Sequence, residues 1–208
     1  MARKCRYCKA ELPKVKDCVD PIQAKGFCTF DHAAKYGLQK AQQAKERQER
    51  KELKARKERL KTKRDWVKEA QPEFNRFIRF RDWGKPCISC DTPIEEIESN
   101  QGWKVGGAWD CGHYLSVGSH YELRFEEDNA HRQCKSCNAG SKKFAHKARS
   151  VATRYREKLI DRIGLKQVEW LEGPHDAKNY TIEDLKEIKA KYRKKANELK
   201  NEIDLISQ

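Results

Sequence analysis

The feature that most constrains this chain is a set of paired cysteines around a polar centre. Between Pro86 and Lys143 the sequence reads PCISC, then WDCGHY, then DNAHRQCKSCN and a short basic tail. Cys87/Cys90 and Cys134/Cys137 are two Cys-x-x-Cys knuckles, and they bracket Asp110 and His113. Two residues between cysteines close a turn tight enough for both sulfurs to reach one ion, and two such turns complete a tetrahedral zinc site. The pairs lie too far apart for a simple ribbon, so a zinc there clips together two ends of a subdomain. A redox dithiol is the rival reading, and two pairs without a thioredoxin-like pattern argue against it.

A second set opens the chain: Cys5-x-x-Cys8, then Cys28 and His32. Three sulfurs and one imidazole suit zinc. Cys18 lies between the pairs and is the alternative fourth ligand. Composition agrees with small units stapled by metal. Charged residues are 38% of 208 and mean hydropathy is −1.04, too polar for one large core, yet there are 9 cysteines and 5 tryptophans. The net charge of +14 calls for a polyanionic partner, nucleic acid first, with a membrane surface as the rival. No apolar run approaches membrane-spanning length, and the first residues, MARKCRYC, contain no apolar signal region. A cytoplasmic location is expected, where thiols stay reduced.

The expected organisation has four parts: a zinc finger over 1–32, a basic helix over 33–64, a core with the four-cysteine zinc site over 65–148, and C-terminal helices over 149–208. The fold class is mainly α with small zinc-stabilised α+β units. The basic segment holds 13 Lys/Arg and 4 Glu without proline, a solvated helix that serves as a spacer or as a phosphate-tracking arm through Arg50, Lys54, Lys57 and Lys61. Trp66, Ala70, Phe74, Phe77 and Ile78 mark the buried face of a helix that Asp65 caps and Pro72 kinks or breaks. The stretch after Cys90 reads as a loop or short hairpin. A helix is expected to start near Asn129 or His131 and to carry Cys134, Cys137 and Asn138. Thr181 to Asp184 reads as a capping box, followed by an apolar stripe from Leu185 to Ile206 that buries on the body or against a second subunit.

The residues that the zinc leaves unused suit different chemistry. Asp110 and Asn138 offer hard oxygens, which Mg2+ or Mn2+ prefers while keeping several waters. His113, with an ordinary pKa of about 6.5, can take a proton from water near neutral pH. A surface or core histidine is the bland alternative. Asp-x-x-His alone is weak evidence, and its place between two knuckles strengthens it.

This arrangement resembles the HNH nucleases with a ββα-metal fold, and the Asp-x-x-His spacing is similar to that of the phage recombination endonuclease seven. CISC, WDCGHY, LRF, the HRQC–CN run, LIDRIG and YTIEDLKEIKAKYR, with the N-terminal cysteines and basic helix, resemble the lambdoid phage NinG (Rap) recombination endonucleases over nearly the whole chain. The resemblance implies a metal-dependent endodeoxyribonuclease that acts on branched DNA such as Holliday junctions or D-loops. It implies Asp110 and Asn138 as ligands of a catalytic Mg2+ or Mn2+, His113 as general base, Asn129 as the residue orienting that base or its loop, and His131 as a secondary contact. Two structural zinc ions, a homodimer, recombination proteins of phage or host as partners, and a host-cytoplasmic location go with it. The chain departs from the family pattern after Asn138: Ser141 replaces an expected lysine, and Lys142 and Lys143 follow as candidate phosphate contacts. The other readings are an HNH nickase or endonuclease for duplex DNA and a non-catalytic zinc DNA-binding protein.

Overall fold

The computed structural model describes residues 3–90, 92–143 and 145–206, with side chains described for all of these except 140–150. It is mainly helical with two small sheets, and it divides into two compact units at Lys61/Thr62. No helix among the described residues is long and apolar enough to cross a membrane.

The first unit begins with β1 (Arg3–Lys4) and β2 (Glu11–Leu12), an antiparallel pair around the first knuckle. The short helix α1 (Pro21–Ala24) has proline in its first turn, where a missing N–H costs nothing, and Asp20 accepts from the Ile22 N–H at 2.8 Å. Thr29 caps α2 (Phe30–Arg59) by accepting from the His32 N–H. That helix buries no residue, as the charge pattern of a solvated helix requires.

The second unit is built on α3 (Lys63–Arg81). Its cap is Thr62 rather than Asp65: Thr62 and Asp65 form a reciprocal capping box, with Asp65 inside the first turn. Nor does Pro72 break the helix, which runs through it to Arg81. The expected apolar face is buried. Phe74 meets Tyr192 edge-on at 4.9 Å and Phe125 at 5.7 Å, and the cluster includes Leu185, Tyr192 and Ala196 of the last helix, α8 (Ile182–Ile206). Thr181 and Asp184 form the expected box at its start. The stripe on α8 is thus used within the chain, against α3, as far as Leu199, while Ile206 at its end is 86% exposed.

Between those two helices lie α4 (Ile94–Gln101), the strands β3 (Trp109–His113) and β4 (Ala130–Cys134), then α5 (Lys135–Lys143), α6 (Ala145–Ile163) and α7 (Leu165–Glu172). Two expectations fail here. The segment after Cys90 contains a helix rather than a hairpin. Residues 130–134 are not helical; they pair antiparallel with β3, Asp110 opposite Gln133 and His113 opposite Ala130. The strand needs a long-range partner that local pattern does not reveal. Ile88, Leu123, Tyr155, Leu159, Val168 and Leu171 form a second apolar cluster under α6 and α7.

Candidate metal centres and active site

The ligand atoms of Cys5, Cys8, Cys28 and His32 lie within 4.8 Å of one another, and so do those of Cys87, Cys90, Cys134 and Cys137. Zinc–sulfur bonds of about 2.3 Å in a tetrahedron place sulfurs about 3.8 Å apart. Cys8 and Cys28 sulfurs are 3.4 Å apart, and the Cys5 sulfur is 3.9 Å from His32 Nδ1. Both sets can hold zinc. The backbone supports the second: the N–H groups of Ser89 and Cys134 donate to the Cys87 sulfur at 3.4 and 3.3 Å, as a metal-bound thiolate requires. Cys18 is outside the first set; its thiol donates to the Lys14 carbonyl at 3.3 Å. Cys111 is in neither set, and burial pushes its thiol up to about 12.

The second zinc set joins the knuckle before α4 to the end of β4 and the first turn of α5. Asn138 therefore directly follows Cys137, a member of that set. Its Nδ2 donates to Asp110 Oδ2 at 3.0 Å, across from β3 to α5. Alternation along β3 puts Asp110 and Gly112 on the side of α5 and α6. Cys111 and His113 face α3: Cys111 joins its apolar cluster and the His113 ring lies 5.9 Å from Phe74. As the last strand residue, His113 still borders a cleft of about 100 Å³ that it shares with Tyr114, Gln133, Cys137, Asn138 and Tyr155.

A carbonyl only accepts, so the 3.1 Å contact of His113 Nε2 with the Arg124 carbonyl fixes the proton on Nε2. Nδ1 then carries the lone pair. Burial lowers the His113 pKa below the usual imidazole range; the Arg124 carbonyl opposes that and the Arg124 charge adds to it. The ring is neutral at neutral pH. Asn129 is fully buried and holds the loop after His113: it accepts from the Leu115 N–H at 2.8 Å and donates to the carbonyls of Leu115 and Leu123. His131 is buried beside Tyr155, and its pKa falls to about 3, first through burial and then through the Arg81 charge. The side chains of Lys142 and Lys143 lie outside the described residues. Arg50, Lys54 and Lys57 are exposed on α2, and Lys61 pairs with Glu58 at 2.5 Å.

Two features escape local motif reading. Gly112 is required: a Cβ there would lie 2.2 Å from Gln133 Oε1, whose amide donates to Ser89 Oγ in the knuckle. Asp82, at the end of α3, gathers Arg81, Lys85 and the Arg132 N–H around a buried carboxylate. Its only sequence signal is an acid between basic residues.

Asp110 and Asn138 fit a hard cation by donor type, since both carry oxygen ligands. The amide must turn so that Oδ1, not Nδ2, faces the carboxylate. That exchange is close to isosteric, because the two ends of an amide have nearly the same size.

The molecule is a mainly helical, two-unit protein with one cysteine-rich cluster in each unit that could hold a metal, the second of them built into the β3–β4–α5 centre. The family model described as "Bacteriophage Lambda NinG protein" matches residues 1–202. Among curated proteins, the chain is 36% identical to "Protein ninG" of Escherichia phage 933W, over 96% of this chain and 94% of that protein. It is 41% identical to "Protein ninG" of Escherichia phage lambda over 146 residues, covering 70% of this chain and 63% of that one. No solved structure matches. The chain belongs to the NinG family.

Proposed function

We propose that the chain is a metal-dependent endodeoxyribonuclease acting on branched DNA such as Holliday junctions and D-loops. The observation that carries this reading is the grouping of the bonded Asp110–Asn138 pair with His113, which has a fixed Nε2 proton, around a strand pair and helix locked by four cysteines. Asp110 and Asn138 would hold Mg2+ or Mn2+, which when bound supplies positive charge beside the scissile phosphate and its leaving oxygen. His113 takes the proton of the attacking water on Nδ1, while the Arg124 carbonyl holds its Nε2–H and Asn129 fixes the following loop. Its lowered pKa keeps that lone pair available through neutral pH. Two-fold substrates call for a homodimer with two such sites. The net charge of +14 supports a nucleic-acid substrate.

The Asp110–Asn138 hydrogen bond also suits a second reading, in which the pair is structural and the protein binds DNA without cutting it. A synthetic four-way junction and a linear duplex of the same arm sequence, each incubated with Mg2+ or Mn2+, separate the readings. The nuclease reading expects junction cleavage far above duplex cleavage, abolished by Asn138→Ala and strongly reduced by His113→Ala. Equal cutting of both substrates removes the branched-DNA claim and leaves a duplex endonuclease. Full activity in His113→Ala removes the mechanism.

A further inference from the structure

The turn after α4 presents an apolar tip. Trp103 is 80% exposed and Val105 98%. Single exposed apolar residues are common on protein surfaces and need no explanation. This tip differs because its exposure is built. The Trp103 indole N–H donates to the Asn100 carbonyl at 3.0 Å, which fixes the ring. The Gly107 N–H closes a turn onto the Lys104 carbonyl at 2.8 Å. Gly106 and Gly107 both have positive φ, +80° and +78°, a backbone conformation that favours glycine and shapes the turn. Gly102 leaves room for a close backbone approach, since a Cβ there would lie 2.5 Å from the Glu98 carbonyl oxygen.

The same turn is tied to the first residues of α5. Lys135 Nζ donates to the Val105 carbonyl, the Lys135 N–H to the Ala108 carbonyl at 3.0 Å, and the Ser136 N–H to Gln101 Oε1 at 2.9 Å. Two residues further along α5 comes Cys137, then Asn138. The turn that presents the indole is therefore tied to the helix that carries a candidate catalytic ligand. Lys104 and Lys135 supply positive charge at this end of α4, while the exposed Glu95 and Glu96 lie at its other end. A polyanion is drawn to the tip and repelled from the start of the helix.

We infer that the Trp103–Val105 tip is a wedge that enters between bases at the branch point of a DNA junction. This rests on the branched-DNA reading above. Bases at a branch point stack on fewer neighbours than in continuous duplex, so the cost of opening a step is smallest there. An indole replaces the lost stacking, and apolar wedges of this kind hold opened steps in other DNA complexes. Placed there, the tip brings the backbone next to the branch towards α5.

The test uses the full zinc-loaded chain and a four-way junction carrying 2-aminopurine beside the branch point. Ca2+ replaces Mg2+ so that binding is read without cleavage. The wild type should raise 2-aminopurine fluorescence as the base unstacks. Trp103→Ala should lose most of that rise and bind the junction about tenfold more weakly, the size of stacking on one base, with duplex affinity unchanged. Trp103→Phe should retain most of the rise, and Val105→Ser should lose part of it. Zinc content and helical circular dichroism check that each variant is folded. An unchanged rise in both Trp103→Ala and Val105→Ser overturns the wedge. If the wild type cuts junctions in Mg2+ and the tip variants leave the fluorescence unchanged, the wedge falls and the nuclease stands. If the wild type unstacks through Trp103 but cuts nothing in Mg2+ or Mn2+, the nuclease falls and the wedge stands.

Discussion

At 1% exposure, Asp82 holds a carboxylate among cations and a backbone N–H from three parts of the second unit. Arg81 donates to both its oxygens at 3.0 and 2.9 Å, Lys85 Nζ lies at 3.2 Å, the Arg132 N–H donates at 3.0 Å, and Arg162 reaches within 3.7 Å. Burial alone would raise its pKa, but the Arg81 hydrogen bonds and charge outweigh that and hold it at about 2, against an ordinary 3.8. Because folding lowers this pKa, the unfolded chain takes up the proton first as pH falls. The stabilisation is complete above about pH 4 and is lost towards pH 2. Asp82→Asn should therefore destabilise the second unit by roughly 2 kcal/mol at neutral pH. Urea unfolding should show the gap from wild type constant between about pH 5 and 8 and narrowing only below about pH 4. The cysteine ligands, by contrast, were readable from sequence, because a knuckle is a local spacing. Asp82 was not, because its partner Arg132 is 50 positions away. His113 shows a third case: its residue type and place were legible, but the proton on Nε2 depends on the Arg124 carbonyl, which only the fold brings near.

Elements were legible where their pattern was long and one-faced. α3 and α8 carry apolar residues at steps of three and four over several turns, and each buries that face on the other. The short elements were hidden. α4 has only Ile94 and Ile97 to signal it, and β4 declares itself only by pairing with β3. Pro72 is the instructive conflict. Proline removes the N–H that would reach the Lys68 carbonyl, and its ring crowds that carbonyl, yet α3 continues. The helix survives because Ala70, Phe74, Phe77 and Ile78, around the proline, are buried against α8 and the loop before β4. Pro72 itself is exposed, so its cost is not offset by contacts of its own. Pro72→Ala should restore the backbone bond and raise stability by about 1–3 kcal/mol. Thermal unfolding should show a higher midpoint with zinc content unchanged; a lower midpoint would mean that the proline ring packs against something essential.

At the scale of the molecule, the sequence announced small cores and two cysteine clusters able to hold metal, because these follow from composition and spacing alone. It did not announce that residues from Thr62 onward form one compact unit, since that depends on α8 returning to α3 across more than a hundred residues. α2 belongs to the other unit and buries nothing along its 30 residues, a length of about 45 Å. Arg50, Lys54 and Lys57 fall at steps of four and three on one face, and Lys61 lies just past the helix end, paired with Glu58. Three cations in line, with a fourth past the helix end, match a phosphate backbone better than a protein surface of mixed charge. If α2 is only a spacer, replacing all four by glutamine leaves DNA binding nearly unchanged, since glutamine is as good a helix former as lysine. If it tracks phosphates, each lost contact removes about 0.9 from the slope of log affinity against log salt, about 3–4 for the set. We expect the second result, with a similar loss on junction and duplex DNA, because phosphate contacts carry no information about sequence or branching. Binding isotherms between roughly 50 and 200 mM salt measure the slope directly, and a slope equal to that of the wild type would assign α2 to spacing alone.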